Sequence, residues 1–285
     1  MHGNNALYRK ESYILVKGAA PILLVAHLDT VHQFPVKDIC KTDDNNILMS
    51  PQGIGGDDRC GVYALNFIHS SIETEKRPWL LFCCDEEIGA VGAQAFTSDY
   101  KSKRIPGELS SLKLILEIDR KGKDEAVFYD CDNPEFEKYV TEKGFNVDVG
   151  SFSDISYIAP VLGVAAANLS SGYYNAHTLH EYINLAHLHR TIEKVMQIVE
   201  ESTTKDFLRF DYVERMHPEW RDDLGWGNFG FGLEKRKNKV EVKLPDKYKD
   251  MYDALLDYYD PQELSYYIDV FGNEAVIELY DEIWA

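Results

Sequence analysis

The order of apolar and amphipathic segments predicts an α/β fold with a mainly parallel central sheet and helices on both faces. Four short apolar runs have the character of strands that are buried on both faces. Segments with helical spacing separate these runs, as they do in βαβ units. The 285 residues suffice for one large domain, or for one domain with an appendage.

The four apolar runs are the predicted strands. They span residues 21–26, 79–84, 112–118 and 161–169, and their apolar residues are largely consecutive instead of alternating. Consecutive apolar residues are typical of parallel strands, because helices cover both faces of such a sheet. Polar residues follow these runs, and they mark the carboxyl edge of the predicted sheet.

Three segments have the spacing of helices that bury one face. They span residues 61–71, 134–143 and 185–201. Strands and helices therefore alternate up to the end of the third helix. We assign residues 1–204 to one α/β domain on this basis.

Residues 205–285 differ in character and form the predicted second part of the chain. Aromatic and Gly-rich loops precede a basic stretch at 234–239 and an alternating strand at 240–244. Residues 246–285 hold eleven acidic residues and two lysines, a net charge of −9 out of −18 for the whole chain. Apolar residues recur there at helical spacing, so we expect a folded, mostly helical acidic appendage and not a disordered tail.

The composition narrows the class of protein. Thirty basic and 48 acidic side chains argue against a protein that grips nucleic acid or an anionic membrane, and they suit metal cations. No apolar run is long enough to span a membrane, and we see no signal peptide. The five cysteines are odd in number and lack a CxxC pair, which predicts reduced thiols in a cytoplasmic protein.

Imidazoles and carboxylates follow the predicted strands or open the first predicted helix. In open α/β sheets ligands bind at the carboxyl ends of the strands, so we expect these side chains to converge. Such a group would be electrostatically costly without a cation, and divalent metals, above all Zn²⁺ in hydrolases, take this mixed nitrogen and oxygen set. The residues are His27, Asp29, Asp57, Glu86, Glu87, Asp119 and His177.

Each of these residues alone has an ordinary structural explanation. An Asp such as Asp57 at a helix start is usually an N-cap, which the helix dipole favours. The pair Glu86-Glu87 is typical of a solvated turn, and His177 of a capping or core histidine. The joint pattern, in which every member follows a buried strand or opens a helix, favours a metal site.

Residues near the last motif are weaker candidates. The hydroxyl of Tyr173 or Tyr174 would suit donation of a hydrogen bond to a developing oxyanion, while aromatic walls beside a loop explain both tyrosines equally well. His180 and Glu181 fit either a supporting or a capping role. His32 has no supporting context.

The motifs resemble those of the co-catalytic zinc exopeptidases, a superfamily that includes peptidase T and its dipeptidase and aminopeptidase relatives. The family pattern is H-x-D, G-x-D-D/N-[KR]-x-G, E-E, a lone D after a strand, and N-x-H-[ST]. The resemblance covers residues from about 14 to 200 and implies the α/β fold of that superfamily. In this chain the motifs read His27-Leu28-Asp29, Gly55-Gly56-Asp57-Asp58-Arg59-Cys60-Gly61, Glu86-Glu87, Asp119 and Asn175-Ala176-His177-Thr178.

The resemblance implies a cofactor of two divalent metal ions, zinc in the first place, with cobalt or manganese as alternatives. His27 and Asp119 would bind one ion, and Glu87 and His177 the other. Asp57 would bridge the two, which lie about 3.5–4 Å apart in sites of this kind.

The resemblance also implies how amide bonds are cleaved. The metals would activate a shared bridging water, and Glu86 would act as the general base that later hands the proton to the leaving amine. Asp29 would accept a hydrogen bond from the second ring nitrogen of His27 and orient the ring. The implied activity is hydrolysis of small peptides, foremost as an aminopeptidase.

The chain departs from many relatives in the spacing of its last motifs. Those relatives insert a lid or dimerisation domain between the lone Asp and the final His, but Asp119 and His177 are too close in sequence for one. We therefore expect a minimal catalytic domain without lid-mediated dimerisation, and the oligomeric state stays open. Residues 205–285 match no motif of the family, so their role stays open too.

Two other functions remain compatible with the sequence. The same superfamily contains deacylases and amidases that act on N-acyl amino acids. A non-catalytic binding protein that keeps the fold would be favoured by a lost ligand or a lost Glu86, and neither is lost. The expected partner is a small peptide or an N-acyl amino acid, with no nucleic acid and no membrane. The side-chain preference of the enzyme and its native metal stay open.

Overall fold

A computed structural model describes residues 7–9, 11–215 and 246–255, together with residues 268, 276, 277 and 280. The chain divides into two compact units, Met1–Met216 and His217–Ala285. The first unit carries every candidate site residue named above.

The secondary structure is numbered in chain order. The described strands are β1 (Leu7–Arg9), β2 (Tyr13–Val16), β3 (Ile22–His27), β4 (Cys40–Lys41), β5 (Ile47–Met49), β6 (Trp79–Cys83), β7 (Leu114–Arg120), β8 (Glu125–Val127), β9 (Asn146–Asp148), β10 (Ala166–Ser170), β11 (Tyr173–Tyr174) and β12 (Tyr182–Asn184). The described α-helices are α1 (Gly56–Ser71), α2 (Val91–Lys101), α3 (Pro134–Glu142), α4 (Asp154–Leu162), α5 (Leu185–Ser202) and α6 (Asp246–Leu255).

The strands of the first unit form two sheets. The larger sheet has the order β1-β2-β6-β3-β7-β10-β8-β9, and its four central strands, from β6 to β10, run parallel to one another. Antiparallel pairs attach β2 and β8 on either side of this centre. The smaller sheet has the order β11-β12-β5-β4 and is antiparallel. The predicted α/β class with a mainly parallel sheet is confirmed.

Helices cover both faces of the larger sheet. Strand β3 is buried along its whole length, and its residues alternate between two apolar cores. Leu24 packs in the core that includes residues of α1, α3 and α5. Leu23 and Val25 pack in the core that includes residues of α2 and α4. Burial on both faces explains why the sequence of this strand is apolar at consecutive positions.

The first three predicted strands are confirmed as β3, β6 and β7, and the predicted helices as α1, α3 and α5. The fourth predicted strand, residues 161–169, is wrong at its start. Val161 and Leu162 form the end of α4, and Gly163 ends that helix in the left-handed conformation at φ 65°. The strand itself begins at Ala166. The run reads as continuous because the end of α4 and the strand are both apolar, so hydrophobicity does not mark the boundary.

The segment after α5 packs with the first unit. The N–H of Phe210 donates to the carbonyl of Lys113, and the N–H of Ala165 donates to the carbonyl of Phe210. Phe210 is buried, and Phe207 packs against the same core. This contact lies beyond residue 204, where the sequence pattern places the domain boundary, so the compact unit extends further along the chain.

The described part of the second unit centres on helix α6. Tyr248 and Leu255 of this helix are buried in one apolar cluster with Ile268 and Val276. This cluster fits the apolar stripe expected in the acidic appendage. The predicted basic stretch and strand at 234–244 lie outside the described residues. Among the described helices, none combines the length and the apolar character that crossing a membrane requires.

Candidate metal centre

Two neighbouring parallel strands place the first pair of candidate ligands. Val25 of β3 pairs with Glu117 of β7, so His27 and Asp119 lie level with each other two residues further on. His27 is the last residue of β3, and its Nε2 lies 3.4 Å from Oδ1 of Asp119. Both side chains are almost fully buried, at 1% and 9% exposure. Strand register therefore fixes this pair at the carboxyl edge of the sheet.

The start of α1 brings a third carboxylate to the same point. Asp57 and Asp58 have non-helical backbone angles and are joined by a cis peptide bond. Oδ1 of Asp57 lies 2.9 Å from His27 Nε2. Asp58 faces inward and accepts hydrogen bonds from the N–H groups of His27 and Gly61, at 3.2 and 2.8 Å. Asp58 thus ties the helix start to the end of β3.

Loops supply the other two candidate ligands. Glu87 follows β6, and His177 lies after β11 at a positive φ of 64°. The Nε2 of His177 is 3.1 Å from Oε2 of Glu87 and 3.1 Å from Oδ2 of Asp57. The two oxygens of Asp57 therefore face different imidazoles, one on each side.

The five predicted metal ligands form two groups that share Asp57. His27 and Asp119 lie on the Oδ1 side, and Glu87 and His177 lie on the Oδ2 side. Ligand atoms of His27, Asp57 and Glu87 all lie within 4.8 Å of one another, as do those of His27, Asp58 and Asp119. The convergence expected from the strand ends is what the structure shows.

The charges within this cluster perturb one another. Burial, followed by the negative charge of Asp57, raises the pKa of Asp119 to about 7. Burial lowers the pKa of His27, but the carboxylates around it, Asp119 foremost, raise that pKa well above its usual range. Hydrogen bonds with Asp57 and Glu87 raise the pKa of His177 to about 10. Burial and mutual repulsion therefore disfavour the ionised carboxyl groups, and the positive charge of the imidazoles offsets part of this unfavourable energy.

Hydrogen bonds within the cluster do not satisfy all of its nitrogen and oxygen atoms, whereas a divalent cation would. A single N–H at Nε2 of His27 faces the carboxylates of both Asp57 and Asp119 and cannot donate well to both. Oε1 of Glu87 and Nδ1 of His27 are buried without a hydrogen-bond partner among the described residues. Imidazole nitrogens and carboxylate oxygens are the ligands that zinc takes in catalytic sites.

Asp29 links the two sides of the cluster. Its Oδ1 lies 3.4 Å from Nδ1 of His27, longer than a well-formed hydrogen bond. Its two oxygens accept the N–H groups of Glu86 and Glu87, each at 3.1 Å. Burial raises the pKa of Asp29, but its contacts with His27 and with these N–H groups bring it below the usual value. Burial and the charge of Asp119 raise the pKa of Glu86 to about 9.

The two tyrosine hydroxyls point to other partners. The hydroxyl of Tyr173 donates to the carbonyl oxygen of Asp119 at 2.7 Å, and its ring is buried. The hydroxyl of Tyr174 lies 2.7 Å from Nδ1 of His187, and its ring stacks on Tyr182. The Tyr173 hydroxyl also lies 3.5 Å from Oδ1 of Asp119, at the edge of the ligand cluster, whereas the Tyr174 hydroxyl contacts none of the predicted ligands. The oxyanion role of either tyrosine stays a prediction.

Glu181 contacts the cluster at the main chain of Asp57, and His32 contacts Glu181; the sequence placed neither residue in the ligand set. Glu181 accepts hydrogen bonds from the N–H groups of Gly55 and Asp57, and its carboxylate also contacts His32. Glu181 lies four residues after His177 in the sequence, and the sequence alone allowed either a supporting or a capping role for it. No spacing in the sequence connects His32 with Glu181, so only the folded structure shows this pair.

The comparisons with known proteins find likeness in fold. An aminopeptidase PepT from Bacillus cereus superimposes with a TM-score of 0.53 and 15% sequence identity, over 70% of this chain and 89% of that chain. A tripeptidase from Staphylococcus aureus gives a TM-score of 0.49 and 15% identity, over 67% of this chain and 84% of that chain. The similarity to the first structure confirms the fold that the resemblance to zinc exopeptidases implies.

Comparison by sequence finds no match. No family model matches the chain. No curated protein matches it either. The likeness at 15% identity extends to the fold alone, so the chemistry has to be argued from the side chains of this chain.

Proposed function

We propose that this protein is a hydrolase that uses two divalent metal ions to cleave amide bonds of small peptides, acting as an aminopeptidase. The observation that carries the proposal is the position of the Asp57 carboxylate. Its two oxygens lie 2.9 and 3.1 Å from Nε2 atoms of His27 and His177. A carboxylate between two imidazoles, each backed by a further carboxylate, is the arrangement expected of a two-metal site.

The proposed ligands form two sets. His27 and Asp119 would hold one ion, Glu87 and His177 the other, and Asp57 both. Zinc is the metal that suits this set best in a hydrolase, with cobalt and manganese as substitutes. Bound there, the ions would polarise the scissile carbonyl and lower the pKa of water.

Glu86 is the proposed general base. Its neighbour Glu87 faces His177, whereas no hydrogen bond of the described residues engages the Glu86 carboxyl group. In this structure its pKa is raised to about 9 by burial and by Asp119. At that pKa the group would hold a proton near neutral pH. Two bound cations would lower the pKa toward neutrality, where the carboxylate is suited to take a proton from water and return it to the leaving amine.

Asp29 is the proposed positioning group for both the ligand and the base. It lies beside Nδ1 of His27, and it accepts the N–H groups of Glu86 and Glu87. The observed hydrogen bonds of Asp29 hold the loop that carries the base, and a small approach from 3.4 Å would let it also accept the Nδ1–H of His27 and fix that ring. A fixed distance between ligand and base is what proton transfer in a preorganised site requires.

The charge around the centre favours a peptide over an N-acyl amino acid. Carboxyl groups outnumber imidazoles at this edge of the sheet, and the whole chain carries a net charge of −18. Two bound divalent cations would offset the ligand carboxylates, but Glu86 and Asp29 lie outside the ligand set and would still attract a free α-ammonium group. A peptide offers this group, and an N-acyl amino acid lacks it. Aminopeptidase activity is therefore proposed ahead of deacylase activity.

The chemistry is proposed to lie within residues 1–204, and residues 205–285 are proposed to lie outside it. The first part of this segment, up to Met216, belongs to the same compact unit, so the appendage is the remainder. We also propose a cytoplasmic location for the protein. The five cysteines support this location, since all of them are free thiols and three are buried.

The test combines metal analysis with substrate digestion. The purified chain is loaded with zinc, and its metal content is measured by mass spectrometry. Short peptides and N-acyl amino acids are then supplied to the wild type, to Glu86→Gln and to Glu201→Gln. We expect two ions per chain, release of N-terminal residues, and a loss of kcat of about 10²–10⁴-fold in Glu86→Gln alone.

Glu201 is a suitable control because it bonds with Tyr139 and Lys143, on elements away from the cluster. Acyl release without peptide cleavage would replace the aminopeptidase by the deacylase. Less than one ion per chain, with no cleavage of any substrate, would remove the proposal altogether.

A further inference from the structure

Glu181 is a wholly buried carboxylate outside the proposed ligand set. It lies on the turn between His177 and strand β12, and its exposure is 0%. A buried carboxylate is costly unless hydrogen bonds satisfy its oxygens. The identity of its partners therefore indicates what the group does.

The hydrogen-bond partners of the Glu181 carboxylate come from the start of α1, from the residue before it, and from the loop after β3. Oε2 accepts the N–H of Gly55 at 2.8 Å and lies 2.8 Å from Nε2 of His32. Oε1 accepts the N–H of Asp57 at 3.0 Å. The ring of His32 is itself buried, at 6% exposure. Since a carboxylate only accepts, His32 supplies the third donor.

The backbone at Asp57 explains why this contact matters. Asp57 is the second residue of α1, and the N–H groups of a helix's first turn have no acceptor within the helix; its φ of −81° and ψ of 103° are not helical either. The N–H is buried, and the Glu181 carboxylate satisfies it instead. The residue proposed to bridge two metals is thus held at its main chain by Glu181.

Two glycines make room for this arrangement. A Cβ at Gly53 would lie 2.1 Å from Nδ1 of His32, and the backbone there has a φ of +80°. A Cβ at Gly56 would lie 2.6 Å from Cβ of Tyr173 and 3.3 Å from Oε1 of Glu181. The glycines of this segment therefore let the ring and the carboxylate approach the backbone closely.

We propose that Glu181, held by His32, is a positioning residue that fixes the Asp57 carboxylate between His27 and His177. The inference rests on the proposed function, because it gives Asp57 a bridging role. If the Asp57 N–H lost its acceptor, the main chain would turn and carry both carboxylate oxygens away from the imidazoles. One contact thereby controls both metal positions at once.

A purely structural role for Glu181 makes a different prediction. In that case its loss would lower the stability of the protein, but the folded fraction would bind metal as before. A positioning role predicts weaker metal binding in molecules that are still folded. Partners that orient a ligand commonly contribute about 10–100-fold to metal affinity.

The test titrates the metal-free full-length chain with Co²⁺ and follows its visible absorption, next to the thermal unfolding of the metal-free protein. The variants are Glu181→Gln, His32→Ala and His32→Gln, with Glu201→Gln as the control. We expect Glu181→Gln to bind both equivalents at least about tenfold more weakly, with an altered cobalt spectrum. His32→Ala should show a smaller loss, and His32→Gln should restore part of it, because its amide can donate to Glu181.

The outcomes separate this inference from the proposed function. A wild type that binds no cobalt contradicts the proposed function itself. A wild type that binds two equivalents, with folded variants that match it in affinity and spectrum, overturns the positioning role alone. If Glu181→Gln does not fold, the two His32 variants decide: equal cobalt binding by both of them and by the wild type counts against the proposal.

Discussion

The two halves of the candidate metal centre are built in different ways. His27 and Asp119 stand at the ends of adjacent parallel strands, and the ladder between β3 and β7 sets their separation. Glu87 and His177 stand on loops, and His177 has a positive φ and a side chain that is 55% exposed. The strand-built half is enclosed, whereas the loop-built half opens to solvent at His177, although its Glu87 side chain is only 9% exposed.

This difference indicates that the strand-built half would contribute most to metal affinity and the loop-built half most to substrate access. Ligands on strands lose little conformational freedom when an ion binds, since packing has already ordered them. An exposed loop histidine is ordered at a greater cost, but it leaves room for a substrate. We therefore expect the strand-built half to bind the first metal equivalent and the loop-built half the second, weaker one.

Replacing the residue that the halves share has the largest expected effect. Asp57→Asn keeps the shape of the side chain but removes its charge and one ligand oxygen. We expect both cobalt equivalents to bind at least about 100-fold more weakly, with no measurable peptide cleavage. Titration with Co²⁺ measures the affinities, with the exposed Asp38→Asn as a matched control. Two wild-type equivalents in Asp57→Asn would show that the halves do not share a ligand.

Removing one imidazole at a time distinguishes the halves. In metal-free protein His27→Ala leaves two buried carboxylates without their positive partner, which should lower the free energy of unfolding by about 3–5 kcal/mol. His177→Ala removes a half-exposed ring, and the expected loss is about 1 kcal/mol or less. Urea unfolding of both variants without metal gives these values.

The same two variants should differ in metal binding. His177→Ala is expected to keep one tight cobalt equivalent, and His27→Ala to lose it. Equal stability losses in the two variants, or loss of the tight equivalent in His177→Ala, would mean that the strand-built half is not the more rigid one.

Metal removal should destabilise the protein to a smaller degree. An ion present at 100 times its Kd stabilises the folded state by about 2.7 kcal/mol, which corresponds to a rise of about 5–10 °C in Tm. We expect zinc to raise the Tm of the wild type and a chelator to reverse the rise. His177→Ala should keep more of this rise than His27→Ala. If zinc did not change the Tm of the wild type, the proposal that either half binds a metal ion would be contradicted.

The strand-built half was predictable from the sequence, because its strands are buried on both faces and read as apolar runs. His27 and Asp119 follow such runs directly, so their meeting point follows from the fold class. For the loop-built half, the pattern of strand ends predicted only that Glu87 and His177 lie near the same edge of the sheet; their assignment to a second ion came from the motif resemblance. The geometry of this half depends on β11 and β12, strands of two and three residues that are too short to show a period.

Some features of the centre had no sequence signal at all. Tandem tyrosines do not reveal which hydroxyl faces inward, and the hydroxyl of Tyr173 turned out to bond to the backbone of Asp119. The contact between His32 and Glu181 joins residues that are far apart in the chain. Both depend on tertiary packing around the small sheet, which local patterning does not encode.

The smallest expected effect concerns the exposed apolar side chain next to the loop-built half. Ile88 directly follows Glu87 and is 75% exposed, so it contributes little to stability, and Ile88→Ser should change the free energy of unfolding by no more than about 0.5 kcal/mol. If the open half receives the substrate, part of this side chain becomes buried on binding. Each buried methylene contributes about 0.8 kcal/mol, so we expect KM to rise about 3- to 10-fold for peptides with an apolar first residue, at nearly constant kcat. Leu208→Ser removes a similarly exposed side chain, at 68%, from the segment after α5 and should leave KM unchanged. An equal rise in both variants would mean that the open half does not receive the substrate side chain at Ile88.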